Sequence, residues 1–326
     1  MKPAVKPAVS GTQATNICLI MGNALEYNEI QQQILALKKE KNAIILAHNY
    51  QAVAIQDIAD FTGDSLQLSI QAKEAEAQLI VFCGVQFMAE TAAILNPKAK
   101  VLLPVEDAGC PMADMITDYQ LKAFKKEHPG AVVICYVNSS VEVKAESDIC
   151  CTSSNAVKVM QSVPEDKEIL FVPDENLGTW AASQTSRKVT VWQGYCPVHF
   201  WGFTLQNVAD ARSKYPDHTF LAHPECDWEI VTKADLVMST SGMMKYAEDH
   251  DKLIIGTETG LVDLLNARYP EKSILPLNKS AFCRNMKKTE LHHVLEALQK
   301  EQHEIKVEPK TAAKALRSLE KMLAIS

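Results

Sequence analysis

The chain repeats one pattern three times, with a period of about 87 residues. Each copy begins with an apolar run and a polar residue, in the segments AIILAHNYQ, AVVICYVNS and TFLAHPECD, which places His48, Tyr136 and His223 in register. Two further landmark sets recur at spacings of 86 to 88 residues: Ser65, Ser153 and Thr240, and the cysteines Cys110, Cys196 and Cys283. Three matched landmarks in each copy predict three copies of one structural unit.

Each copy alternates short apolar runs with stretches of helical periodicity. The runs AIILAH and LIVFC belong to the first copy, AVVICYV and EILFVP to the second, and TFLAH and KLIIG to the third. Strands that alternate with helices of this length are typical of βαβ units with parallel sheets. The predicted fold class is therefore α/β, with three parallel-sheet α/β/α units related by a pseudo-threefold axis around a central active site.

The repeat also divides the chain into segments. Residues 1–25 are mixed Pro, Ala, Thr and Asn, and they predict a flexible tail. The three α/β units are expected over 26–128, 129–215 and 216–307. The C-terminal helix expected over 308–326 is predicted to join the first unit.

The charge balance argues against several classes of partner. Lys and Arg total 33 against 40 Asp and Glu, a formal net charge of −7, and a pI near 5.8 offers no cationic surface for nucleic acid. No apolar run approaches the ~20 residues that span a bilayer. The short apolar stretch from Ile17 to Met21 does not match a signal peptide. We therefore expect a cytoplasmic protein that acts on a small molecule and binds neither nucleic acid nor membrane.

Polar side chains follow the first strand of each copy. The segments 48–50, 136–138 and 223–225 read HNY, YVN and HPE, and supply imidazoles, phenols, amides and a carboxylate. Binding residues collect at the carboxyl ends of parallel strands, and His and Glu are suited to general acid–base catalysis near neutral pH. Taken singly, each residue could equally cap the end of a strand. Three parallel sets favour a site that binds a polar acid and moves its protons.

A second polar set opens a helix in each copy, at Asp64-Ser65, Thr152-Ser153 and Thr240-Ser241. Ser, Thr and Asp are good helix N-caps, which explains each pair by itself. Three helix N-termini that point toward one centre would also attract carboxylate or phosphate. An acidic chain needs such a local device to bind an anion.

The nine cysteines include the triplet Cys110, Cys196 and Cys283 at the repeat spacing. No C-x-x-C pair occurs, so any metal site must be assembled from distant parts of the chain. Three thiolates could hold zinc, although structural zinc usually takes four protein ligands. A 4Fe–4S cluster with three cysteine ligands would leave one iron open as a Lewis acid that helps to expel water. The spacing by itself leaves both metals open.

Ten ordered motifs resemble the quinolinate synthase family: AHNYQ, GDSLQLS, FCGVQFMAETA, EDAGCPMADM, YVNSS, CTSSNA, PDENLG, GYCPVH, AHPEC and STSGMMKY. They run from about Ile44 to about Met286 and cover all three copies. The resemblance implies three α/β domains around an oxygen-sensitive 4Fe–4S cluster. It also implies condensation of iminoaspartate with dihydroxyacetone phosphate to quinolinate, with loss of phosphate and water, in de novo NAD biosynthesis. Functional coupling to an L-aspartate oxidase follows from that reaction.

The same resemblance implies roles for individual residues. Cys110, Cys196 and Cys283 are the implied cluster ligands. The implied catalytic residues are Tyr50, Tyr136, His223 and Glu225, with Tyr50 and Glu225 the leading candidates for proton transfer. The implied substrate-binding residues are His48, Ser65, Asn138, Ser153, His199, Ser239 and Thr240.

Other functions stay open at this stage. One alternative is an iron–sulfur hydro-lyase that acts on another small diacid, a second is a non-catalytic iron–sulfur redox sensor, and a third is a zinc enzyme. A sensor would carry a partner surface or a DNA-binding element, and the sequence shows neither. Some relatives carry extra cysteines just before the third ligand, whereas Ser280, Ala281 and Phe282 stand there, which argues against redox control of that kind. A homodimer is also left open.

Overall fold

The computed structural model describes residues 28–325, so the tail expected over 1–25 lies outside the described residues. Helix α1 covers residues 28–40. The first sheet follows, with strands β1 (Ala43–His48), β2 (Phe61–Gly63), β3 (Leu79–Cys83) and β4 (Lys100–Leu102). Its helices are α2 (Val53–Gln56), α3 (Ser65–Glu74) and α4 (Gln86–Leu95), and a 3-10 turn at Ala113–Met115 leads to α5 (Asp118–Glu127).

The second and third sheets repeat this order of elements. The second has β5 (Val132–Tyr136), α6 (Val141–Ala145), β6 (Ile149–Cys151), α7 (Ala156–Ser162), β7 (Ile169–Val172), α8 (Glu175–Ser183), β8 (Val189–Val191), α9 (Pro197–Trp201) and α10 (Leu205–Lys214). The third has β9 (Thr219–Ala222), α11 (Trp228–Val231), β10 (Leu236–Val237), α12 (Thr240–Asp249), β11 (Lys252–Gly256), α13 (Thr259–Arg268) and β12 (Ser273–Pro276). A 3-10 turn at Met286–Lys288, α14 (Leu291–Lys300) and α15 (Pro309–Ala324) complete the chain.

All three sheets have the same strand order, β2–β1–β3–β4, β6–β5–β7–β8 and β10–β9–β11–β12, and their paired strands are parallel. Every residue of β3 and of β7 is buried, as expected for parallel strands covered on both faces. The α/β class and the three related units are therefore confirmed. The unit boundaries stay a prediction.

The C-terminal helix lies between two units. We expected it to join the first unit, but α15 packs mainly against α6 and β6 of the second, and it also contacts α4 of the first. Ala315 and Leu319 are buried on this face. Across residues 28–325, none of the helices combines the length and the hydropathy that a membrane span requires.

An aspartate before the second strand of each unit anchors the central strand. Oδ2 of Asp148 accepts the backbone N–H of Val133 at 2.8 Å. Asp60 accepts the backbone N–H of Ile45 in β1 at 2.7 Å, and Asp235 accepts that of Phe220 in β9 at 2.7 Å. These aspartates recur at the period of the sequence repeat, so the repetition extends to the contacts that hold each sheet.

We expect Asp148→Ala to lower the free energy of unfolding by about 1–2 kcal/mol, because the N–H of Val133 loses its acceptor at a buried strand. Urea-induced unfolding followed by circular dichroism measures the difference. Glu165→Ala removes an exposed carboxylate from the same unit and should change that free energy by less than about 0.5 kcal/mol. Equal effects of the two substitutions would contradict the anchoring role.

Candidate active site

A cavity of about 420 Å³ lies where the three units meet. Each unit contributes the carboxyl ends of its strands and the starts of its helices, since parallel strands direct both to one edge of a sheet. All the predicted site residues line this cavity except Ser239. The hydroxyl of Ser239 instead accepts the N–H of Gly242 at 3.2 Å and caps α12. Its predicted substrate contact stays a prediction.

The three repeat-spaced thiols lie on one wall of the cavity. Cys110, Cys196 and Cys283 each precede a short helical turn, and each side chain is partly buried. Burial raises the pKa of the Cys110 thiol to about 12, and the backbone N–H groups of Ala113 and Met112 oppose the rise. Hydrogen bonds of this kind hold and stabilise a thiolate once a metal replaces the proton.

The donor set suits an iron–sulfur cluster. The Cys283 charge raises the pKa of Cys110, and the charges of Cys110 and Cys283 raise the pKa of Cys196, so the three thiols are close together. Among the described residues that line the cavity they are the only cysteines. Soft sulfur ligands with N–H donors around them are typical of iron–sulfur sites. A cluster held by three cysteines keeps one iron free of protein ligands.

A second donor set overlaps the first. Ligand atoms of Cys196, His199 and Glu225 lie within 4.8 Å of one another. One sulfur, one nitrogen and one oxygen could hold a single zinc ion and leave a fourth position open. The geometry of the side chains therefore keeps a mononuclear site as an alternative occupant of the same wall.

A chain of hydrogen bonds links the two predicted tyrosines across the cavity. The Tyr50 hydroxyl lies 2.7 Å from Thr257 Oγ1, and that oxygen lies 2.8 Å from His199 Nε2. His199 Nδ1 lies 2.8 Å from the Glu225 carboxylate, which accepts the Tyr136 hydroxyl. Protons can therefore pass between Tyr50 and Tyr136 through an unbroken set of polar groups.

Thr257 is the site residue that the sequence did not reveal. It follows β11 at the carboxyl end of a central strand and is fully buried. The sequence does indicate that residue 257 lies at the end of a strand, because it directly follows the apolar run KLIIG. A lone threonine at such a position is ordinary, so only its contacts with Tyr50 and His199 identify it.

Burial sets the protonation of the two loop histidines. It lowers the pKa of His48 to about 4 and that of His223 to about 3, so both rings are neutral near pH 7. Nδ1 of His48 accepts the N–H of Tyr50 at 3.2 Å, and Nδ1 of His223 accepts the N–H of Glu225 at 3.3 Å. The ring proton of each histidine is therefore on Nε2, which makes both rings hydrogen-bond donors.

The carboxylate and the phenols have opposite tendencies. Burial raises the pKa of Glu225, but His199, His223 and the Tyr136 hydroxyl outweigh burial and lower the pKa to about 2. Burial and the nearby Glu225 charge raise the pKa of Tyr50 and Tyr136 well above the usual value. The site therefore holds one carboxylate base next to phenols that keep their protons.

The helix starts supply donors for an anion. Ser65 and Thr240 are the first residues of α3 and α12, and Ser153 lies three residues before α7; all three line the cavity. Asp64, which caps α3, accepts the Ser154 hydroxyl at 2.5 Å and so joins two helix starts. Backbone N–H groups and hydroxyls at such termini bind carboxylate or phosphate.

Few formal positive charges support this anion site. Among the described residues that line the cavity, Arg284 is the single lysine or arginine. Any anion deeper in the cavity is therefore held by neutral donors, namely hydroxyls, helix N–H groups, imidazole N–H groups and the Asn138 amide. Neutral donors bind an acid without the free-energy cost of removing a buried cation from water.

Comparison with known proteins assigns the family. The family model "Quinolinate synthetase A protein" matches residues 32–324. The chain belongs to the quinolinate synthetase A family. A quinolinate synthase of Alkaliphilus metalliredigens is 52% identical over 296 residues, which cover 90% of this chain and 97% of that protein. One of Methanoregula boonei is 50% identical over 91% of this chain and 98% of its own length. Quinolinate synthase 2 of Methanosarcina acetivorans is 47% identical over 94% of this chain and 98% of its own length.

We expect acid to destabilise this member of the family partly through His48. A histidine that is buried in its neutral form stabilises the fold fully above its unfolded pKa of about 6.5, and this stabilisation is lost as the pH falls toward the folded pKa of about 4. Between pH 7 and pH 5 the metal-free wild type should therefore lose about 2 kcal/mol more of unfolding free energy than His48→Gln.

Urea titrations at the two pH values measure this difference. His250→Gln, which alters a solvent-exposed histidine, is the matched control and should retain the pH dependence of the wild type. A His48→Gln protein with the same acid sensitivity as the wild type would contradict the burial argument.

Proposed function

We propose that the chain is a quinolinate synthase that condenses iminoaspartate with dihydroxyacetone phosphate, with loss of phosphate and water, in de novo NAD biosynthesis. The observation that carries this proposal is the convergence of three thiols, a proton-transfer chain and three helix starts on one cavity, in a chain of the quinolinate synthetase A family. The curated relatives named above carry the same name.

Both substrates suit the donors of the cavity. Iminoaspartate has two carboxylates and dihydroxyacetone phosphate has a phosphate, and each of these groups is an acceptor of hydrogen bonds. The starts of α3 and α12, with Ser65 and Thr240, can bind one anionic group. Neutral His48 and His223 can donate from Nε2 to another anionic group, and Asn138 also offers an amide to the cavity.

We propose that Cys110, Cys196 and Cys283 hold a 4Fe–4S cluster with one open iron. When bound, the cluster supplies a Lewis acid that polarises an oxygen or nitrogen of the substrate and assists the loss of water. The zinc arrangement at Cys196, His199 and Glu225 is the competing occupant, and metal analysis distinguishes the two.

Ring closure requires protons to be removed from carbon and delivered to leaving oxygen, and the hydrogen-bonded chain supplies both functions. Glu225 is the ionised base, and His199 can relay a proton between this carboxylate and Thr257. Tyr50 and Tyr136 keep their hydroxyl protons and can donate them at opposite ends of the chain. Tyr50, Tyr136 and His199 are themselves buried, which excludes water from the proton path.

The supply of the substrates and the setting of the enzyme remain proposals of the same kind. Iminoaspartate is unstable in water, so we expect an L-aspartate oxidase that is functionally coupled to this enzyme to supply it. The cytoplasmic location and the state of association, including a homodimer, stay predictions.

The decisive experiment measures iron and acid-labile sulfide in protein purified without oxygen, together with quinolinate formation. We expect about four of each per chain in the wild type. Cys110→Ala should lose most of the iron and all quinolinate formation. Cys83→Ala removes a buried thiol from β3 outside the cavity and should retain both. One zinc per chain with little iron would contradict the cluster.

We expect Thr257→Val to lower kcat about a hundredfold with iron content retained, because the isosteric side chain breaks the only link between Tyr50 and His199 in the hydrogen-bonded chain described above. Thr257→Ser keeps the hydroxyl and should retain kcat within about threefold. Steady-state quinolinate formation by the reconstituted proteins measures both. A wild-type kcat in Thr257→Val would remove the relay from the mechanism.

A further inference from the structure

Two loops that belong to different units are fastened together beside the site. The first follows β1 and carries Tyr50, and the second follows β12 and carries Cys283. Lys287 Nζ donates to the backbone carbonyl of Tyr50 at 2.5 Å. Gln51 Nε2 donates to the backbone carbonyl of Met286 at 2.7 Å. The backbone of the proton-donating tyrosine is therefore positioned by the cysteine loop.

One buried carboxylate organises the other side of this contact. The Glu258 side chain is fully buried, and its Oε1 lies 3.3 Å from Lys287 Nζ. The same oxygen accepts the backbone N–H of Cys283 at 3.1 Å. Oε2 accepts the backbone N–H of Gly260 at 2.7 Å, at the first turn of α13. Glu258 thus joins a cation, a helix start and the cysteine loop.

The second unit has the carboxylate at the corresponding place. Asp174 caps α8 by accepting the N–H of Leu177 at 2.6 Å. Burial raises the pKa of Asp174, and the neighbouring N–H of Cys196 opposes the rise. In the third unit Lys287 extends the arrangement, because it connects the carboxylate to the loop of another unit.

The space for the lysine depends on Gly260. A Cβ at this position would lie 2.8 Å from the Tyr50 carbonyl oxygen and 2.7 Å from Glu258 Oε2, and it would collide with Lys287 Nζ. Carbon atoms do not approach oxygen that closely without displacement. Any side chain at 260 would therefore separate the Tyr50 loop from the pair.

We propose that Lys287 and Glu258 form a positioning pair, which sets the Tyr50 loop of the first unit in register with the Cys283 loop of the third. Its consequence for catalysis rests on the proposed function, but its consequence for the two loops does not. Charged hydrogen bonds to buried partners are among the stronger local contacts, and removing one member leaves the other buried without its partner.

Hydrogen–deuterium exchange tests the pair without any assay of activity. In Lys287→Met, amides in segments 49–52 and 283–286 should exchange about tenfold faster, with the other segments unchanged. Lys279→Met removes an exposed lysine from the same loop and should leave both segments as in the wild type. Unchanged exchange in 49–52, or faster exchange along the whole chain, would overturn the proposal.

Two further proteins cover the case in which Lys287→Met folds poorly. Gly260→Ala keeps both charges and should accelerate exchange in the same two segments. The double substitution Glu258→Gln/Lys287→Met removes the uncompensated charge, so its thermal midpoint should exceed that of Lys287→Met while the two segments stay less protected. A Gly260→Ala protein with wild-type protection in both segments would contradict the positioning role.

Kinetics then separates positioning from simple support of the fold. Reconstituted Lys287→Met should retain its iron and sulfide and lose about tenfold in kcat, with KM changed by less than about twofold. A wild-type kcat, or a loss confined to KM, would contradict the role. If the reconstituted wild type forms no quinolinate, the proposed function fails, whereas the exchange results still decide whether the pair exists.

Discussion

Parallel pairing of strands is the constraint on which the rest of this structure depends. In a parallel sheet all carboxyl ends lie at one edge, and the helices that follow begin at that same edge. Three sheets with the same strand order therefore direct three sets of loops toward one cavity. A helix start, a polar loop and a cysteine reach it from each unit, so that residues far apart in the sequence become neighbours. The sheet order itself is maintained by repeated anchors, such as the bond from Val133 to Asp148.

Burial gives these neighbours their chemistry. Water is kept away from His48 and His223, so both rings stay neutral and act as donors. Burial also raises the pKa of Tyr50 and Tyr136, whereas Glu225 remains ionised because His199, His223 and the Tyr136 hydroxyl lower its pKa. A base and its partner acids thus lie a few ångströms apart without neutralising one another. Another buried carboxylate, Glu258, pairs with Lys287 and accepts the backbone N–H groups of Cys283 and Gly260. The partners of Glu225, by contrast, are the side chains of His199 and Tyr136.

Much of this site could be predicted, because each candidate residue in one copy can be compared with the residues at the matching positions of the other two copies. The cysteine triplet and the polar residues after the first strands recur at one spacing, and the structure places them around a single cavity. The prediction was less informative where a residue type is common. Ser239 stands next to a predicted site residue, Thr240, but its hydroxyl caps a helix. Thr257 has no distinguishing sequence pattern, and only the structure shows its hydroxyl between Tyr50 and His199. The C-terminal helix has no counterpart in the other copies, so the repeat could not indicate that α15 packs mainly on the second unit.

The sequence by itself determined the α/β class and the three units, indicated the family and supplied the candidate site residues. The class, the units and the candidate residues follow from local periodicity and from residue types at fixed spacings, and the family follows from the resemblance of ordered motifs. All of these are properties of the chain before it folds. The tertiary structure decided which of those residues touch. The link from Tyr50 through Thr257 to His199 joins all three units. The contacts of Glu225 with His199 and Tyr136, and the bond from Lys287 to the Tyr50 carbonyl, also cross between units. Hydrogen bonds and shifted pKa values depend on short distances between groups and on the exclusion of water. Both conditions arise only when the three units have packed together.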